Sequence, residues 1–366
     1  MLPDVGADEI RDAARAMTLK YGFLGLPQGG AKAGVRGDGE ARQAEKQARL
    51  AEFARVARPL LEERIYVPDS DLGTTAPDIQ AMMRSIGAKV TRREWRTTQS
   101  GFYTAYSVLV SAASAFDHLG TTLEGKRVAI EGFGSVGSNL GDLLQKRGAK
   151  VVAVSTSQGA IYDPAGLDIE ILKGLASTQG SSLVRQMDPR LQIEHSVLLE
   201  LPVDLLSPCA RRHSIHEGNA ADISAPVICP GANEPISPAA ETELLARGVL
   251  VLPDFVTNSG GVLGGTMAFA GIGESAAVEL FESFYTDRVG ELLERASLRG
   301  LAPRALAIAE SLDRHDRVRQ ATENPTPIGR LFGIGLEAYR RGWVPQSLVA
   351  LLSPMYMRGP VSYTHL

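Results

Sequence analysis

The chain has 366 residues, with 38 Lys and Arg against 42 Asp and Glu for a net charge of −4, and is 44% hydrophobic and 22% charged. This is an ordinary globular balance, too long for one usual core and without the basic excess a nucleic-acid partner needs, so two domains and no nucleic-acid binding are expected. Two cysteines argue against a disulfide framework, no apolar run reaches the roughly 18 residues of a membrane span, and the start lacks a signal-peptide pattern, so the expected location is cytoplasmic.

Apolar residues at Ile10, Ala13, Ala14, Met17 and Leu19 follow the helical period and predict a helix over 8–24. Lys20 falls near its C-terminal end, where the helix dipole favours a cation. From Met17 to Val35 the chain is mostly apolar or small, Lys20 and Lys32 are its charged residues, and Gly29 and Gly30 stand just before the second lysine. A lysine held among apolar groups is destabilised as a cation, and its pKa can fall into a catalytic range. A surface turn with two solvated lysines fits this stretch equally well. Residues 40–65 read as one long amphipathic helix. A short apolar strand at Tyr66 then leads to Asp71-Leu72-Gly73-Thr74, which is either a loop capping a helix over 78–86 or the seat of an acid/base carboxylate. A helix of small and apolar residues over 101–119 is expected to lie between domains.

The clearest signal runs from Arg127 to Lys150. A strand, Val128-Ala129-Ile130, enters Gly132-Phe133-Gly134-Ser135-Val136-Gly137, a helix follows, and a second strand spans 151–155. In that context G-x-G-x-x-G is a dinucleotide fingerprint. Gly132 makes the turn, Gly134 admits the pyrophosphate and Gly137 lets helix and strand pack. The helix N-terminus at Ser135 and Val136 receives the phosphates. At the end of the second strand, where NAD enzymes usually carry an acid, stands Ser155-Thr156-Ser157. Small hydroxyl residues leave room for a 2′-phosphate, which favours NADP, and Thr156 also tolerates NAD. Further strands are predicted over 203–206, 225–229 and 248–252 with a helix over 237–247, and 274–352 reads as mostly helical. His213 and His216 have metal-compatible spacing but no third ligand in view, so a solvated loop is the preferred reading and no metal is expected. Cys209 reads as a small buried hydrophobe.

In order and spacing these motifs resemble the glutamate/leucine/phenylalanine/valine dehydrogenase family, from about Asp8 to about Trp343. Met17-Thr18-Leu19-Lys20 is similar to the family's M-T-x-K, whose lysine holds the substrate α-carboxylate. Gly29-Gly30-Ala31-Lys32 is similar to G-G-x-K, whose lysine is catalytic, and Asp71-Leu72-Gly73-Thr74 to D-x-G-T, whose aspartate moves protons. Thr98 falls where a family threonine contacts the nicotinamide amide. Asn233 and Asn258 match asparagines lining the nicotinamide and substrate side of the cleft. The resemblance implies NAD(P)-dependent oxidative deamination of an L-amino acid to its 2-oxo acid and ammonium. Lys20 and Gly30 would bind substrate, Lys32 would polarise the carbonyl and activate water, and Asp71 would shuttle protons.

The implied fold is α/β in two domains. An α/β substrate domain, with its N-terminal part missing, covers 1–118, and a doubly wound cofactor domain covers 119–325. C-terminal helices over 326–353 return to the first domain, and a tail follows over 354–366. The family carries several dozen more residues ahead of M-T-x-K, so the chain reads as N-terminally truncated, and Pro360 to Leu366 resembles translated sequencing-adapter sequence. A homo-oligomer, a hexamer for glutamate enzymes, is implied. Glutamate is the expected substrate from the Gly29 to Gly34 and Gly231-Ala232-Asn233 segments. Leucine, valine or phenylalanine stay open because Asp71 to Thr75 and Pro208-Cys209-Ala210 resemble the branched-chain and aromatic enzymes. So does a non-catalytic homologue, because Gly265 stands at the position of the serine that binds the glutamate side chain, with Thr266 beside it, and Gln99 stands where the family has glycine.

Overall fold

The computed structural model describes residues 1–39, 41–71, 73–88 and 99–351. The first helix, α1 (Ala7–Leu24), carries Asp8 and Glu9 in its first turn and ends where Gly25 adopts a left-handed φ of 71°. Acids suit the positive end of a helix, and glycine suits the left-handed cap. The single helix expected over 40–65 is two, α2 (Gln43–Val56) and α3 (Arg58–Glu62), with residue 40 outside the described residues. Pro59 is the reason: it has no N–H for a continuing ladder but is tolerated in a first turn, so the helix breaks and restarts at Ala57. The strand expected at Tyr66 is a bend, flanked by exposed Ile65 and Val67 and followed by Pro68.

The next helix, α4 (Ala76–Ser85), starts from a full capping box in which Thr75 and Asp78 each satisfy the other's backbone N–H. Asp78 is buried and pairs at 2.8 Å with equally buried Lys46 of α2. Leu50, Ala54, Leu61, Ile79, Met82 and Met83 form a small core of their own between α2, α3 and α4.

From α5 (Ser100–His118) onward the chain is α/β. The strands are β1 (Arg127–Glu131), β2 (Lys150–Thr156), β3 (Gly159–Tyr162), β4 (Gln192–Ile193), β5 (Leu205–Pro208), β6 (Val227–Ile228) and β7 (Leu250–Val251), in the sheet order β4-β3-β2-β1-β5-β6-β7. Strands β2, β1, β5, β6 and β7 are parallel, while β3 and β4 add an antiparallel edge. Interleaved with them are α6 (Ser135–Lys146), α7 (Ile169–Gln179), α8 (His195–Glu200) and α9 (Pro238–Ala246). After β1 the chain winds to one side through β2, and from β5 it winds to the other. The β1/β5 boundary is therefore the switch point, where open α/β sheets bind ligands.

Beyond β7 follow α10 (Asp254–Thr257), α11 (Gly260–Ala270), α12 (Glu274–Leu280), α13 (Thr286–Arg299), α14 (Pro303–Glu323) and α15 (Pro327–Arg340). One face of the sheet shares a core with α5, α11, α13 and the apolar side of α1, including Leu19, Phe23 and Leu24. The other face packs on α8 and α9. The chain returns to α1 through α14. Gly22 of α1 lies so close to α14 that a Cβ there would sit 2.1 Å from the Ser311 carbonyl oxygen. Arg314 donates to the Gly22 and Phe23 carbonyls at 3.0 Å, and Arg288 of α13 donates to Phe23 at 2.7 Å. These arginines add donors to the last turn of α1, where the Phe23 carbonyl accepts from both.

Candidate active site

The candidate site has two regions, the first at the switch point. In the first, β1 runs into Gly132, whose φ is 90°, and its N–H donates to Ser155 Oγ at 3.0 Å. A Cβ on Gly132 would lie 2.9 Å from Ala210, and one on Gly137 would lie 1.9 Å from the Gly132 carbonyl oxygen. Only glycine permits this close turn. A Cβ on Gly134, by contrast, meets nothing within 4 Å, so the N-terminus of α6 opens onto free space. Ser135 packs on Gly101 of α5, and Val136 lies against Gly231. A cleft of about 1140 Å³ opens here, lined by Gly132 and Gly134, by Thr156 and Ser157 at the end of β2, by Lys173 of α7 and by Arg211 after β5. Thr156 is largely engaged within the protein: its hydroxyl donates to the Ser181 carbonyl at 2.6 Å and accepts from Gln158 N–H at 3.1 Å. Ser157 is exposed in the cleft.

The second region lies outside that cleft lining and is built on α1. Lys20 is 7% exposed, and its Nζ donates to Asn233 Oδ1 at 2.8 Å. Burial, helped by the like charge of Lys32 and opposed by Asp254 and Asp71, pulls the Lys20 ammonium down to about 8. Asn258 Nδ2 donates to the same Asn233 oxygen at 3.1 Å and to the Ala232 carbonyl at 2.9 Å. Its own Oδ1 is buried without a hydrogen-bond partner among the described residues, an acceptor suited to a ligand N–H. Lys32 pairs with Asp71 at the mouth of this region, where both are partly solvated. Gly30 donates to Thr18 Oγ1 at 3.1 Å, and a Cβ there would sit 2.1 Å from the Ala14 carbonyl oxygen, so the loop can lie on α1 only as glycine. Thr98 lies outside the described residues.

The fold adds residues that no local pattern marked. Ser107 of α5 donates to the Thr257 carbonyl at 2.7 Å and accepts from Gly260 N–H at 3.1 Å, gripping the Asn258 turn from both sides. Tyr285, fully buried, meets Ser259 Oγ at 2.9 Å beneath it. Asp254 accepts from Glu234 N–H at 2.9 Å and from Arg304 at 2.8 Å, and Arg304 also holds Glu241. This buried network fixes the Asn233-Glu234 turn, in which Glu234 takes a φ of 48°. His216 Nδ1 accepts from Gly218 N–H, and His213 sits at a φ of 51°. Cys209 is half-buried rather than fully buried as expected, and desolvation pushes its thiol up to about 12, which keeps it protonated at neutral pH.

Residues 99–274 match the model of the glutamate/leucine/phenylalanine/valine dehydrogenase family, and residues 1–88 match that of its dimerisation domain. The chain belongs to this family. Among curated family members it is 36% identical over 273 residues to the glutamate dehydrogenase of Thermotoga maritima, covering 71% of this chain and 65% of that protein. It is 34% identical over 273 residues to the NADP(+)-dependent glutamate dehydrogenase of Pyrobaculum calidifontis, covering 70% of this chain and 64% of that protein. It is 32% identical over 279 residues to an NAD-specific glutamate dehydrogenase of Staphylococcus aureus, covering 71% and 65%. The chain thus spans less than two thirds of the length of these relatives. Among solved structures, the hetero-hexameric glutamate dehydrogenase of Thermus thermophilus, in its Leu-bound form, superposes with a TM-score of 0.72 at 25% identity, covering 87% of this chain and 79% of that one. The L-tryptophan dehydrogenase of Nostoc punctiforme shares the fold at a TM-score of 0.62 and 20% identity, covering 87% of each chain. No helix among the described residues is long and apolar enough to cross a membrane.

Proposed function

We propose that the chain is an NAD(P)-dependent amino-acid dehydrogenase that interconverts L-glutamate and 2-oxoglutarate with ammonium, acting within a homo-oligomer. The observation that carries this reading is the buried Lys20, held with Asn233 and Asn258 beside a dinucleotide fingerprint. Gly132, Gly134, Ser135, Val136 and Gly137 would hold the cofactor pyrophosphate, and Asn258 and Asn233 would face its nicotinamide, which when bound accepts or returns the hydride. An open α6 N-terminus and an orphaned Asn258 acceptor fit such a ligand. Lys20 anchors the substrate α-carboxylate as a buried point charge. Lys32 polarises the oxo group and activates water, while Asp71, already in contact with the Lys32 ammonium, carries protons to and from the substrate nitrogen.

A test follows the absorbance of reduced nicotinamide with 2-oxoglutarate and ammonium. Oxidation with this acid is expected, and oxidation only with 2-oxo-4-methylpentanoate would overturn the glutamate assignment. Lys32→Ala is expected to cut kcat at least a hundredfold, the usual weight of an acid–base group, while nucleotide affinity stays unchanged. A second reading, an apolar 2-oxo acid, is favoured by one feature of α11. Gly265 carries no hydroxyl, and the Thr266 hydroxyl donates back to the Val262 carbonyl at 3.1 Å, leaving no donor there for a side-chain carboxylate.

A further inference from the structure

At the deep end of the cleft three buried side-chain atoms, both Glu131 carboxylate oxygens and His195 Nε2, lack hydrogen bonds among the described residues. Glu131 closes β1 directly before Gly132 and lines the cleft, yet it is fully buried, and neither carboxylate oxygen has a partner among the described residues. Opposite stands His195, the first residue of α8, with Nε2 3.5 Å from Glu131 Oε1 and likewise without a hydrogen bond. A buried carboxylate left without donors is costly, and a facing cation relieves much of that cost. The remaining charges come from other elements: Arg211 and His216 from the loop after β5, and Lys173 from α7, itself paired at 3.5 Å with Asp142 of α6. From β2 the pair meets the Thr156 backbone, and β3 lines the cleft with Gly159. Thr156 and Ser157, where a ribose 2′-substituent is expected, share this wall. A phosphate on that ribose meets Arg211, Lys173 already paired with Asp142, and the Glu131 charge, whose weight depends on His195.

We propose that Glu131 and His195 are a specificity-determining pair. The cleft favours a 2′-phosphorylated nicotinamide nucleotide while the imidazole is protonated, and disfavours it once the buried carboxylate stands alone. The inference rests on reading the cleft as the dinucleotide site. Glu131 beside it holds the His195 imidazole above its ordinary value, against burial and the like charge of Arg211. The cation is therefore present below that raised pKa and lost as pH climbs through it, and the preference for the phosphorylated ligand falls with it.

The pair is tested by calorimetry on the full chain with adenosine 2′,5′-bisphosphate and adenosine 5′-monophosphate, at about pH 6 and about pH 9, either side of the histidine range. The 2′-phosphate itself ionises near pH 6, which affects every protein alike, so the readout is the difference from wild type. Relative to His195→Gln, wild type is expected to lose about tenfold of its preference for the bisphosphate between the two pH values, the scale of one charge near a protein surface. Glu131→Gln is expected to keep that preference at high pH. If circular dichroism shows Glu131→Gln unfolded, the comparison with His195→Gln decides alone. Equal pH slopes in wild type and variants would overturn the pair while leaving the cleft reading intact. Failure of both nucleotides to bind any of the proteins would remove the cleft reading and the pair together.

Discussion

At the residue scale, the property most useful for chemistry belongs to Lys20. Its Nζ is buried against Asn233, and burial brings its pKa to about 8. Deprotonation above that value removes the cation that a carboxylate needs. The KM for the oxo acid is therefore expected to stay flat below pH 8 and to rise about tenfold per unit above it, read from initial rates at saturating nucleotide. A flat KM to high pH would remove Lys20 from substrate binding. Lys20→Met is expected to raise the same KM by roughly ten- to a hundredfold, the loss of a charged hydrogen bond. Lys20 and Lys32 stand out in one dimension by their apolar surroundings and by the motifs they close, and burial separates them further: Lys20 lies inside, while Lys32 meets Asp71 in partial solvent.

At the element scale, the contrast between local and distant information is plain. The β1 turn and α6 were legible because strand, glycines and helix follow one another without interruption, so composition and period act on one contiguous piece. The antiparallel edge of β3 and β4 was not, since β4 is two residues long and draws its stability from a neighbour. Pro59 was visible, but its effect on the helix over 40–65 was outweighed by an amphipathic period on both sides. The site's supports were hidden for the same reason: Ser107 and Gly260 are 153 positions apart, Asp254 and Arg304 are 50 apart, and only folding joins them.

The α2–α4 pairing belongs to this scale too. Burial alone would raise the Asp78 carboxyl, but donors from Lys46, Gln43 and Thr75 outweigh it and hold it well below the usual range. The stability this pairing contributes is present above the ordinary carboxylate range near pH 4 and is lost as pH falls towards the depressed value. Asp78→Ala is expected to destabilise the protein by about 3 kcal/mol in urea unfolding, since it strands a buried lysine and removes a helix cap. A change below about 0.5 kcal/mol, the range of surface substitutions, would contradict it.

At the scale of the whole molecule, α14 holds α1 in place, and α1 carries Lys20. Gly22→Val forces a side chain into the Ser311 backbone, so α1 and α14 must part. The expected result is a Tm lowered by several degrees, as a loss of about 2 kcal/mol implies for a protein of this size. Oxo-acid turnover is expected to fall far more than nucleotide affinity, and equal losses of both would argue against a separable clasp.

That clasp joins Gly22 to Arg314 across 292 positions. On the ribosome, α1 emerges long before its partner, whereas the β1–α6–β2 unit and the cleft it bounds are complete much earlier than α14. On the proposed reading, the segment that would hold a nucleotide is therefore synthesised before the clasp that helps bury Lys20 can close. A cofactor site built this way would form ahead of a substrate anchor that waits for α14.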